Sequence, residues 1–72
     1  MTLDYTEPEQ GIRALRVLTA ANIDAVLTPY KLLDRGGDEA TVLVVHRVVV
    51  PRTDALRAAA VLDEHGLLIR RS

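Results

Sequence analysis

The amino-acid sequence predicts an α+β domain, one antiparallel sheet with two helices on a single face. Three observations predict it. Residues 41–50 form a Val-rich run, and Val is stiff at χ1 and fits a pleated surface. Two other stretches, 10–21 and 54–65, carry apolar residues at helical spacing. Pro, Gly and Asn punctuate the chain between these segments, in the order β, α, β, β, α, with a short apolar run after the last helix.

Each element follows from its own residues. Thr2 to Thr6 reads as a short first strand. Glu7-Pro8-Glu9 opens a helix, with Thr6 expected as N-cap, Pro8 in the first turn and two acids at the positive helix end. From Gln10 to Ala21, Ile12, Ala14, Leu15, Val17, Leu18 and Ala21 share one broad arc, opposite Glu9, Arg13 and Arg16. Gly11 costs this helix roughly 1 kcal/mol against Ala, which points to close backbone packing or a ragged first turn. Asn22 stands where a left-handed helix stop belongs.

Ile23 to Leu33 reads as the second strand. Pro29 lies inside it, and Pro is tolerated mainly on edge strands. Asp34-Arg35-Gly36-Gly37-Asp38 is a turn cluster leading into the Val-rich third strand, which Pro51 ends. Thr53 is the expected cap of a second helix, Asp54 to about His65, with Ala55, Ala58, Ala59 and Leu62 inward. Gly66 is its stop, and Leu67 to Arg70 reads as a short fourth strand.

Right-handed βαβ connections fold this order into the ferredoxin-like βαββα(β) plait, with strand order 4-1-3-2. The third strand then falls centrally and the Pro29 strand at an edge. The competing arrangement is a three-stranded βαββα with a loose tail. The 72 residues make a single domain, 1–72, with residues 71–72 frayed. A chain this short buries only ~60% of its unfolded surface and is marginal alone.

Composition narrows the chemistry. There is no Cys, hence no disulfide, thiolate metal site or cysteine nucleophile. No Ser precedes Ser72, and no base stands at a recognisable spacing from any Thr. No apolar run approaches the ~20 residues of a membrane span. The N-terminus lacks the basic and apolar pattern of a signal peptide, so a cytoplasmic location is expected. The net charge is −1 with signs interspersed, which offers no basic stripe for nucleic acid. His46 and His65 are far apart in sequence, and no metal site or cofactor is expected. No catalytic residue is nominated. Asp34 and Asp38 around Gly36-Gly37 lack the ligand spacing of a calcium loop.

The third strand is apolar on both faces, and such a strand is usually covered on both. A chain this small has little material for two layers, so part of the cover is expected from another molecule. The candidate interface is Val42, Val44, His46 and Val48 with Arg47, or the alternate set Leu43, Val45, Arg47 and Val49. Alternation does not decide which set faces out. The hairpin residues Arg35, Gly36 and Gly37 are the candidate ligand-contacting tip.

Two segments carry a family resemblance. Thr6-Glu7-Pro8, the helix to Leu18 and Asn22-Ile23-Asp24-Ala25 form the first. Val48-Val49-Val50-Pro51, Asp54-Ala55-Leu56-Arg57-Ala58 and Val61-Leu62 form the second. Together they resemble a small prokaryotic family of signal-transducing proteins built on one ferredoxin-like domain. Gly11 and Asn22 depart from that family's preferred Ala and Gly. The resemblance implies the fold and a signalling role, and supplies no catalytic residues. The rhythm around Gly11 and Ile23 is also similar to the small-molecule-sensing ACT domain. The expected function is thus a non-enzymatic, self-associating regulatory module whose partner is itself or another protein. The alternative is a metabolite sensor with its ligand at a protomer boundary.

Overall fold

A computed structural model describes residues 1–36 and 39–69, without the side chains of 34–40. The elements are β1 (Thr2–Tyr5), α1 (Pro8–Ala20), β2 (Val26–Gly36), β3 (Glu39–Val49), a 3-10 turn (Arg52–Asp54) and α2 (Ala55–Glu64). The sheet is antiparallel with order β1-β3-β2. This is the α+β arrangement expected, the 4-1-3-2 order without its outer fourth strand among the described residues. The Val-rich strand is central, and Pro29 sits on the edge strand β2.

Both helices end in the same way. Asn22 adopts φ 60° and Gly66 φ 69°. After α1, the Asn22 N–H donates to the Thr19 carbonyl (3.0 Å) and the Ile23 N–H to the Leu18 carbonyl (2.9 Å). After α2, the Gly66 N–H donates to Asp63 (3.1 Å) and the Leu67 N–H to Leu62 (2.8 Å). These are paired Schellman stops, each followed by an apolar residue that packs back on the helix. Ile23 and Leu67 are both buried in the core.

That geometry corrects two expectations. Ile23 to Ala25 precede β2 rather than belonging to it, and Leu67 to Ile69 form no strand. Their apolar character serves the helix stops. The remainder of the expected fourth strand, Arg70, lies outside the described residues, as do the frayed positions 71–72. The Leu67 segment is nevertheless tied to the sheet. The buried Tyr5 hydroxyl donates to the Leu67 carbonyl at 2.6 Å.

The helix starts also differ from expectation. Glu7, not Thr6, occupies the N-cap of α1, with no side-chain cap bond. Pro8 is the first helical residue, a position where its missing N–H costs nothing. Thr53 falls inside the 3-10 turn, and Asp54 precedes α2, its carboxylate 3.3 Å from Arg57.

The core lies between the sheet and the helices. Leu3, Tyr5 and Val48 from the sheet, with Val50 just past β3, meet Ala14 and Leu18 of α1 and Ala58 and Leu62 of α2. Gly11 is where α1 crosses the sheet most closely. A Cβ there would stand 3.1 Å from Leu27 Cδ1 and 3.2 Å from His46 Cβ, so the close-packing role is the correct one.

Beyond this crossing the sheet narrows. β1 pairs only with residues 46–49 of β3, whereas β2 and β3 continue to the Gly36–Glu39 pair. The ladder thus runs through Asp34–Gly36, which the sequence places in the turn. Backbone hydrogen bonding carries the strands past the end of the core. The outcome is a two-stranded ribbon, and the molecule measures 45 × 24 × 21 Å. Its radius of gyration is 13.5 Å, against about 11 Å for a compact domain of this length.

Candidate interaction surface

The core decides which alternating set of β3 faces out. Val48 is wholly buried, and the His46 side chain lies under Gly11. The set Val42, Val44, His46 and Val48 therefore points to the helix side. Val48 is a core residue and not an interface residue, because α1 and α2 cover it. Leu43, Val45, Arg47 and Val49 point to the open face. From β2, the register adds Val26, Thr28, Tyr30 and Leu32, and from β1, Thr2 and Asp4.

Arg47 is anchored at the centre of that face. Its Nε donates to Asp4 Oδ1 at 2.7 Å and its Nη2 to Asp4 Oδ2 at 3.0 Å. This two-pronged pair spans β1 and β3, whose register sets Asp4 opposite Arg47. The guanidinium also lies 3.8 Å from the Tyr30 ring centroid. Tyr30 is the diagonal neighbour on β2, since Thr28 is directly opposite Arg47. Donating these hydrogen bonds to the Asp4 carboxylate holds the Arg47 guanidinium further above its usual range. Three strands thus contribute one fixed charged and aromatic group.

Apolar side chains flank this group. Val26, Tyr30, Leu32, Leu43 and Val49 are all exposed, while Val45, the cross-strand partner of Tyr30, is buried. An apolar field around a rigid Arg and Tyr has the composition of a protein interface core. Sequence reasoning named Arg47 but missed Asp4 and Tyr30. The only signal for them lay in the register, which pairs residues far apart in the chain.

The other sites are less developed. Arg35 and Gly36 lie on β2 opposite Ala40 and Glu39, and Gly37 lies outside the described residues. His65 follows the last residue of α2, with its Nδ1 2.9 Å from the Val61 carbonyl. Among the described residues no group of three metal-ligating side chains converges. No described helix is long and apolar enough to cross a membrane. One depression of ≈ 160 Å³ is lined by Thr2, Leu3, Asp4 and Ile69, and another of ≈ 270 Å³ by Glu9, Ile12, Arg13 and Arg16. Both fall below the ~300–1,000 Å³ of small-molecule sites. No family model, no curated protein and no solved structure matches this chain.

Proposed function

We propose that this chain is a non-enzymatic interaction module that buries its open sheet face against a second copy of itself. One observation carries the reading: exposed Val26, Leu32, Leu43 and Val49 surround the Asp4–Arg47–Tyr30 group on a face that no described helix covers. Contiguous apolar patches rimmed by polar groups mark association sites. Two such sheets pack face to face about 10 Å apart, with their helices outside. A regulatory role rests on the resemblance to the signal-transducing family, and a cysteine-free chain suits the cytoplasm.

Leu43→Lys tests the open face. Leu43 is 48% exposed in the ribbon, so the fold should survive its replacement. Sedimentation equilibrium should show L43K associating at least about fivefold more weakly than the wild-type chain, the change that ~1 kcal/mol of lost interface energy gives. Unchanged association of a folded L43K variant would remove the open face from the reading.

A further inference from the structure

We propose that the free edge of β3 is a second self-association site, where two copies join antiparallel into one continuous sheet. The contact is made by backbone groups, distinct from the open-face side chains of the reading above. Val50 and Met1 exchange both of their backbone bonds. The Val50 N–H donates to the Met1 carbonyl (2.8 Å), and the Met1 amino group to the Val50 carbonyl (3.0 Å). Hydrogen-bonded pairs alternate along an antiparallel ladder. The even residues of β3 therefore turn N–H and C=O toward β1, and the odd ones toward β2. The β2–β3 register runs unbroken from Val49 to Glu39, so no bulge resets that alternation. β1 ends at Tyr5, opposite His46. Beyond it Val44, Val42 and Ala40 aim six backbone groups at a flank where no described strand pairs.

The two flanks of the ribbon differ. On β2 the same alternation turns the backbone of Pro29 and Lys31 outward, and Pro and Lys are residues that blunt an edge. On β3 the free stretch Thr41-Val42-Leu43-Val44-Val45 holds no Pro, no Gly and no charge. An unguarded edge of good strand formers is a template for another strand.

The occupant is the same stretch of a second copy. A two-fold axis perpendicular to the sheet sets Val42 against Val42 of the second copy, and Val44 against Ala40 in both directions. All three are hydrogen-bonding pairs, so the six groups of each copy meet six partners and none is left over. The length fits as well. Residues 39–45 of one copy lie along 45–39 of the other, and the added strand stops where Tyr5 already holds His46. Sliding the pair by two residues toward β1 would set Ala40 against His46, whose flank is taken. Val42, 56% exposed, gains its twin as a cross-strand neighbour. No like charges meet along Thr41 to Val45. The axis leaves both open faces on one side of the doubled sheet, free to pack as proposed above.

Val42→Pro tests the proposal. It deletes an N–H that points away from β2, at the kind of outward position where Pro29 already stands. Val42→Thr keeps the N–H and is the control. Circular dichroism establishes that each variant is folded, and Val44→Pro replaces V42P if that chain fails to fold. Residue-resolved amide hydrogen exchange by NMR compares Val42 and Val44 with Leu43 and Val45, whose N–H groups bond to β2. Sedimentation equilibrium gives the mass. In concentrated wild-type and V42T solutions, Val44 should exchange at least about tenfold more slowly than in V42P. The two-fold axis makes one substitution delete both bonds of the central pair, so V42P should associate at least about tenfold more weakly. Free exchange at Val42 and Val44 in the concentrated wild-type chain overturns the proposal. Slow exchange there in a sample sedimenting as a monomer overturns it too, as does a folded V42P chain of unchanged mass. Val26→Lys, on the open face and away from the free edge, separates the two contacts. An unchanged V26K mass with slow Val44 exchange overturns the open-face reading while the edge pairing stands. A reduced mass with free Val44 exchange in both wild type and V26K overturns the edge pairing and leaves the open-face reading intact.

Discussion

Replacing Tyr5 by Phe removes one oxygen from the core. The Tyr5 hydroxyl is buried, and it holds the Leu67 carbonyl at 2.6 Å. That bond connects β1 to the segment after α2 across 62 positions of sequence. A net hydrogen bond contributes ~0.5–1.5 kcal/mol, and an orphaned buried carbonyl costs ~1–3 kcal/mol. Tyr5→Phe should therefore destabilise the fold by about 1.5 kcal/mol. At ~4–8 °C per kcal/mol for a domain of this size, Tm should fall by about 6–12 °C. Leu67 is itself in the core, so the segment has reason to stay docked and leave its carbonyl dry. A second readout comes from alkaline pH. Burial pushes the Tyr5 phenol above its ordinary value of 10.0. The folded state then binds the proton more tightly than the unfolded state. The stability from this group is complete below pH 10.0 and is lost as pH rises through the folded-state value. Urea titrations of both proteins at neutral pH and above pH 10 measure the two effects. The advantage of wild type over Y5F should shrink in base. Equal midpoints at neutral pH, or an advantage that does not shrink in base, would refute the reasoning.

Other substitutions probe the helices. Leu62→Ala empties a wholly buried position of α2 and should cost about 2–5 kcal/mol, enough to unfold much of a marginal domain. Leu56→Ala, on the same helix but 90% exposed, should leave the urea midpoint unchanged. Gly66→Ala meets no atom within 4 Å but forces a side chain to φ +69°, so a loss of about 1 kcal/mol should come from backbone strain alone. Measuring it by thermal melt separates conformational cost from packing, because no contact changes.

Several features of this protein were determined by its sequence alone. Helical spacing marked both helices, and Asn22 and Gly66 marked their stops, because a left-handed residue is nearly all that such a stop needs. Pro29 marked the edge strand, because a residue without an N–H weakens a ladder that needs it. The continuous Val run marked the central strand. These are local rules, each readable within a few residues.

Only the tertiary structure decided the rest. Both alternating sets of β3 are rich in Val and Leu, so periodicity could not choose between them. The register that seats Val48 under the helices and His46 under Gly11 chose, and it turned Arg47 to the open face. The same register brought Arg47 to Asp4 and Tyr30, residues with no local relation to it. Ile23 and Leu67 read as strand because they are apolar, yet each seals a helix end by packing against the core. A buried apolar residue looks the same in sequence whether it fills a sheet or closes a helix, and only the packing around it tells the two apart.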